Sequence, residues 1–438
     1  MAPRARGVPV MAVVKAAVDL ATLSETSIAL ALAHYGLQLS TMPTAVQKLH
    51  NGYSGCNYRV EVVQESGELE VLLLKGSVDK PPSELAVQVE LLRHLEAEGF
   101  PTAAAVPPAD HAAPWVIKVP AGDEQKGSSN TSLSVFLMRF VGGQPANLVM
   151  GSGAVGESEV LATAGATLAR LHLMPLPTGF RNYSSGVGTK DGMFNPDTLA
   201  AFRAMSDERV ATHPFLDFFE RRISALSELV GVDGGTECSS QLEQGLMHCD
   251  FFLDNILVHE PGRPDVRGDG RSACELSALI DWEDAAAGPL VHDLGIGILG
   301  CCYDTEERLS AARVTAMLSA YNQIRPLAPM ERQLLRSSVL GAALAVGFFR
   351  WRQFNVRHPE IVEVSHPSAL PEFSPLRLLP LFRGVGPSLQ AKDAYMEMVR
   401  KIEALENDTG DAATTLAEAL AALGTVPTQR SAHAGQAL

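Results

Sequence analysis

The chain has no surplus of basic charge. Lysine and arginine number 35 against 50 aspartates and glutamates, a formal net charge of −15. That argues against a nucleic-acid or anionic-membrane partner, since either needs a basic face. It also has no C-x-x-C pair. Cys56, Cys238, Cys249, Cys274, Cys301 and Cys302 give no support to a zinc site or a thioredoxin-type motif, and in a chain of this length they read as reduced thiols of a cytoplasmic protein. No apolar run reaches the roughly 18 residues that a membrane span needs. There is no G-x-x-x-x-G-K-[ST] loop. The G-x-G-x-x-G string at Gly151–Gly156 is followed by no βαβ unit, and residues 160–190 hold no acid, so the dinucleotide fingerprint is incomplete and the string reads as a flexible loop. Cys301-Cys302 read as helix core rather than a metal site. Trp351 with Phe348 and Phe349 reads as core rather than a cation box.

What is present is an ordinary globular composition, 46% hydrophobic and 19% charged, split by pattern into two parts. Residues 23–35 read as a helix capped by Ser24 or Thr26. Strand-like pieces follow at 44–63 and 69–77, then a helix at 83–98 with Leu85, Val89, Leu92 and Leu95 at helical spacing. More strands surround 115–122 and 132–143, with a polar loop at 122–131 between them. Beyond a connector near 138–145 the periodicity turns helical: 157–173, 196–206, 213–231, 306–322, 330–354 and 388–407. A strand pair around 246–281 interrupts these helices, with a polar, Gly-rich insertion at 261–275 inside it. The division is therefore a small β-rich lobe at 23–141 and a large, mainly helical lobe at 142–407. Residues 408–438 form a tail with one helix at 411–423 and disorder beyond. Residues 1–22 are set apart as a disordered leader. Arg4, Arg6 and Lys15 without an acid in the first 18 residues make targeting one reading of it, although no clear h-region is present.

The stretch Leu246-Met247-His248-Cys249-Asp250-Phe251-Phe252-Leu253-Asp254-Asn255-Ile256-Leu257-Val258 sets polar groups between two apolar runs. Its H-x-D-x-x-x-x-N spacing resembles the catalytic loop of eukaryotic-like kinases, with a second Asp expected after the next strand. Leu276-Ser277-Ala278-Leu279-Ile280-Asp281 supplies that Asp. The resemblance implies that Asp250 takes the proton of a substrate hydroxyl, while Asn255 and Asp281 hold Mg2+ on the phosphates of ATP, with GTP as the alternative donor.

Ile280-Asp281-Trp282-Glu283-Asp284, Gly288-Pro289 and His292-Asp293-Leu294 depart from the protein-kinase pattern and resemble the aminoglycoside phosphotransferase / choline kinase superfamily. The implied fold is α+β, two-lobed and protein-kinase-like. Asp293 would then support the loop from a helix start. In the small lobe, Ser54, Gly55 and Asn57 would cover the nucleotide with backbone N–H groups. Lys75 would contact the α/β phosphates, and Met138 and Phe140 would belong to the hinge that meets the base. Gln88 falls where the aminoglycoside enzymes carry the glutamate that pairs with the lysine; Glu90 is the substitute.

Three further strings, Ala169-Arg170-Leu171-His172-Leu173, Asp250–Asn255 and Ala320-Tyr321-Asn322-Gln323-Ile324-Arg325-Pro326-Leu327, together with Glu90–Leu95, are similar to the homoserine kinases of this superfamily. They imply phosphorylation of L-homoserine, a step of threonine biosynthesis. The insertion at 261–275 and Gly99-Phe100-Pro101-Thr102 resemble hydroxylysine kinase instead, and choline, methylthioribose and aminoglycosides are the other acceptors of the group. A catalytically inactive kinase-shaped binding protein would lack one of Asp250, Asn255 and Asp281, and all three are present. For an amino-acid acceptor, Arg350 is the candidate for the carboxylate, and Glu283 or Asp284 for the ammonium. The partners expected are small molecules; oligomeric state has no signal in the sequence.

Overall fold

The computed structural model describes residues 23–37, 45–49, 55–63, 67–77, 80–120, 132–153, 155–180, 196–230, 242–259, 274–357, 359, 363–364, 389–407 and 410–423. The leader at 1–22, Ser54, the loop at 122–131, most of the insertion at 261–275 and the end of the tail lie outside them.

The small lobe is a five-stranded antiparallel sheet in the order β1-β2-β3-β5-β4, made of β1 (Ala45–Leu49), β2 (Gly55–Val63), β3 (Leu69–Ser77), β4 (Ile117–Pro120) and β5 (Ser132–Arg139). Period-2 alternation sends its side chains to two cores. Val60, Leu72, Leu74, Val135 and Leu137 pack with Ile28, Ala31 and Leu32 of α1 (Glu25–His34). On the other face, Phe136 and Met138 pack with Leu85, Val89, Leu92 and Leu95 of α2 (Pro82–Ala97). Ser24 caps α1 by accepting the Ser27 N–H.

The apolar face of α2 continues into the core of the large lobe. That lobe begins with β6 (Gln144–Pro145), α3 (Ala146–Ser152) and α4 (Glu157–His172), followed by α5 (Pro196–Arg203), α6 (Glu208–Ala211) and α7 (Pro214–Val230). Short strands β7 (Gln244–Met247), β8 (Ile256–Val258), β9 (Leu276–Leu279) and β10 (Ala286–Pro289) pair as β10-β7 and β6-β8-β9. Helices α8 (Leu290–Cys301), α9 (Ala311–Ile324) and α10 (Pro329–Arg352) pack below them. A small ribbon, β11 (Glu363–Val364) with β12 (Leu389–Gln390), precedes α11 (Met396–Glu406) and α12 (Asp411–Ala422). Two glycines set the closest helix approaches. A Cβ on Gly165 of α4 would fall 2.1 Å from the Met317 carbonyl oxygen of α9, and one on Gly295 of α8 would fall 2.6 Å from the Ser338 carbonyl carbon of α10.

Several expectations shift. Gly151 and Ser152 end α3, Gly153 is its left-handed cap, and Gly156 caps α4, so three glycines expected in a flexible loop end or cap helices, while Ala154 between them lies outside the described residues. The helix expected at 306–322 starts at Ala311, because Asp304 accepts the backbone N–H groups of Glu306 and Arg308 and holds a turn there. The helix expected at 388–407 starts at Met396. The segment Pro329–Arg357 is long and apolar enough to cross a membrane by length and composition, contrary to the sequence reading, but 67% of its 18-residue apolar stretch is buried inside the protein. Its Trp351 and Phe348 sit in a cluster with Phe215 and Phe219, which accords with the core reading; Phe349 is exposed. Cys301 and Cys302 are core.

Candidate active site

The catalytic-loop stretch starts where β7 ends and stops where β8 begins. Cys249 has φ +62°, a left-handed conformation that is uncommon outside glycine. Asp293, fully buried in the first turn of α8, accepts the N–H of His248 at 2.7 Å and of Cys249 at 2.8 Å. One carboxylate therefore holds both peptides around the strained residue, and the helix N-terminus favours its charge. Burial pushes the Asp293 carboxyl up, but bonds from His172 and the loop outweigh it and hold the group below its usual value.

His172 of α4 contacts Asp293 at 3.1 Å through Nε2 and the Tyr321 hydroxyl at 2.6 Å through Nδ1. Arg325 donates to that hydroxyl at 2.8 Å and pairs with Glu331 and Glu243. Burial keeps His172 neutral by lowering its pKa. With Nε2–H donating to the carboxylate, Nδ1 is left to accept from Tyr321. The chain of donors runs Arg325, Tyr321, His172 and ends on Asp293, which also accepts the two N–H groups of the catalytic loop.

Within the loop, the Asn255 amide donates to both the Asp250 carbonyl (2.8 Å) and its carboxylate (2.9 Å). His248 contacts the Ile280 carbonyl at 2.9 Å and packs on Trp282, with ring centroids 4.7 Å apart. The Trp282 indole donates to Thr102, and the Leu279 N–H donates to Pro101. These bonds tie the segment on both sides of Asp281 to the small lobe. Asp281 itself takes φ +68°, and its carboxylate meets Lys75 at 3.0 Å. Glu283 meets Lys75 at 2.6 Å and Lys80 at 2.7 Å. Burial disfavours the Lys75 charge, but Asp281 and Glu283 outweigh it and raise its pKa.

Asp250 is half-buried. Desolvation first, then the nearby Asp281, Asp284 and Asp254 carboxylates, push its pKa well above the usual value. Such a concentration of acid suits a divalent cation. Among the described residues no group of three or more His, Cys, Asp or Glu closes a metal site alone, so a hard cation here would take phosphate oxygens as well. The Asn255 amide oxygen and the Asp281 carboxylate, 39% exposed, are oxygen donors of the right kind.

The structure thus brings Asp250, Asn255, Asp281 and Lys75 to one place and puts Asn57 directly across β2–β3 from Lys75. Gly55 opens β2 opposite Ser77. It does not bring Glu90 there. Glu90 is exposed, and Lys75 takes its acids from the large lobe. Gln88 is buried on α2. In the hinge, Met138 is buried, and the N–H groups of Arg139 and Phe140 are taken by the Ala104 and Val71 carbonyls, so Phe140 has no N–H left for a base. Arg350 is 3% exposed and bound to Glu397, which also binds Lys401. Its guanidinium belongs to a buried ion cluster and is not presented to a substrate carboxylate. Glu283 is held by two lysines, and Asp284 lies close enough to Asp250 to act on its charge. The sequence motifs contain His172, Tyr321 and Arg325 without showing their joint role, and nothing in them points to Lys80.

Two lobes joined by a hinge, with an H-x-D-x-x-x-x-N loop facing a strand lysine, define a kinase-like phosphotransferase. The chain belongs to the phosphotransferase enzyme family, whose model matches residues 45–327. Among curated relatives it is 28% identical over 222 residues to a homoserine kinase of Gluconacetobacter diazotrophicus (50% of this chain, 61% of the relative). It is 26% identical over 328 residues to one of Methylobacillus flagellatus (73% and 83%). It is 30% identical over 186 residues to one of Rhodopseudomonas palustris (42% and 48%). The chain thus spans 61% of the first of these relatives' length and less than half of the third's. Among solved structures, a microcompartment-associated aminopropanol kinase superposes with a TM-score of 0.52 at 16% identity, covering 88% of this chain and 97% of that one. An amicoumacin kinase, in complex with AMP-PNP, Ca2+ and Ami, gives 0.52 at 14%, covering 83% and 89%. These likenesses concern the fold.

Proposed function

We propose that the protein transfers the γ-phosphoryl group of ATP to the side-chain hydroxyl of L-homoserine. The carrying observation is the convergence of Asp250, clamped by Asn255, with the Lys75–Asp281 pair across the lobe interface. Asp250 accepts the hydroxyl proton as the acceptor oxygen bonds to phosphorus and the bond to ADP breaks. Asn255 holds that carboxylate in one orientation. Lys75 turns from Asp281 to the phosphates. Mg2+, held by the Asn255 oxygen and Asp281, supplies charge neutralisation on the phosphates when bound.

The homoserine assignment is supported by the curated relatives, all three of them homoserine kinases. Asp284, close enough to Asp250 to raise its pKa, is the acid we assign to the substrate ammonium. The carboxylate partner is a group other than Arg350. The test is ADP release with homoserine, 5-hydroxylysine, serine, choline, methylthioribose and an aminoglycoside. Homoserine should give the highest kcat/KM, and a preference for choline would remove the amino-acid reading.

A further inference from the structure

Lys75 lies across from Phe136 in the β3–β5 register, and the Phe136 ring packs with Leu85, Val89 and Leu92 of α2. The lysine therefore emerges on the sheet face that α2 covers, where its charge needs an acid. α2 does not supply one. Its buried polar residue on that side is Gln88, which is neutral, and its Oε1 has no hydrogen-bond partner; Glu84 and Glu90 are exposed. The acid comes instead from the other lobe. One oxygen of Glu283 meets Lys75 at 2.6 Å and the other meets Lys80 at 2.7 Å. Lys80 is 7% exposed, and its backbone N–H donates to the Ser77 hydroxyl at the end of β3.

We infer that Glu283 is the positioning residue for Lys75, in place of an acid on α2, and that Lys80 is the clamp that keeps Glu283 there. The inference rests on the reading of Lys75 as the phosphate contact. Two carboxylates hold Lys75, and they are not equivalent. Asp281 must release the lysine if it is to serve a cation, whereas Glu283, pinned by Lys80, stays. Because Lys75 and Lys80 come from the small lobe and Glu283 from the large one, the lysine is set for phosphate only when the lobes stand in this arrangement.

A double-mutant cycle tests this through binding of Mg-ATP alone, measured by calorimetry on the full chain. Glu283→Gln should weaken binding by about tenfold in the wild-type background and by nothing further in a Lys75→Ala background, because the residue acts through the lysine. Equal losses in both backgrounds, or no loss in either, would overturn the inference. If Lys75→Ala itself left affinity unchanged, the nucleotide reading of Lys75 would fall, and this inference with it. A Lys75→Ala loss with an inert Glu283→Gln would remove the inference alone. Lys80→Met carried through the same cycle gives the same background dependence if Glu283→Gln does not fold.

Discussion

His172 Nδ1 and the Tyr321 hydroxyl lie 2.6 Å apart although 149 positions separate them in the chain. Asp293, an acceptor only, fixes the imidazole proton on Nε2, and the Tyr321 hydroxyl then donates to Nδ1. Tyr321→Phe leaves a buried nitrogen without its donor, and stability should fall by about 1–3 kcal/mol. The catalytic loop loses a support at the same time, so kcat should fall with little change in nucleotide KM. Denaturant melts and steady-state kinetics check both. A variant with unchanged stability and kcat would contradict the relay.

The same histidine sets a pH dependence. Burial depresses the pKa of His172 and of His248. The unfolded chain protonates these side chains below about pH 6.5 while the folded one resists, so the unfolded state binds more protons there and stability rises with pH across that window. Their contribution is fully present above about pH 6.5 and is lost as the pH falls toward the depressed folded-state values. Melting temperature should therefore drop from pH 7 to pH 5, and His172→Gln should flatten that slope. An unchanged slope would mean that His172 is not neutral in the fold.

Asp281→Ala should abolish turnover and weaken Mg-ATP binding, because it removes an oxygen donor for a hard cation and a partner of Lys75. Lys75→Ala should mainly raise the nucleotide KM. Calorimetry with Mg-ATP distinguishes these outcomes, and wild-type affinity in Asp281→Ala would contradict the metal role.

Arg350→Ala strands Glu397 with Lys401 in a buried cluster. Breaking a buried pair destabilises by roughly 3–5 kcal/mol, so the melting temperature should fall sharply. The folded fraction should keep its kcat/KM for homoserine. A selective rise in acceptor KM with normal stability would return Arg350 to the substrate site.

Much of this was legible in sequence because it is local. The Asp250-to-Asn255 spacing and the Asp281 that ends an apolar run lie within single hairpins, and the helices with strong periodicity fell within a few residues of their observed bounds. The pairing of Lys75 was not legible. Helical spacing puts Glu90 and Gln88 on one helix but does not say which faces the sheet, and the partner came from 208 positions away in Glu283 (283 minus 75). Arg350 misled for the opposite reason. An arginine on an apolar helix looks available until the fold brings up Glu397. The helix at Leu290–Cys301 was foreseen only by its start, because Gly295, Gly297 and Gly300 interrupt its pattern. Those glycines let Ser338, Met317 and Phe252 approach closely.

The central claim is that Asp250 accepts the proton of the homoserine hydroxyl. The most direct measurement is the single-turnover rate of O-phosphohomoserine formation from Mg-ATP, followed by phosphorus NMR, in wild type and Asp250→Asn. We expect the substitution to keep nucleotide affinity and to slow the transfer by roughly 10²–10⁴-fold. Near-wild-type transfer in Asp250→Asn, or no phosphohomoserine from the wild type, would contradict it.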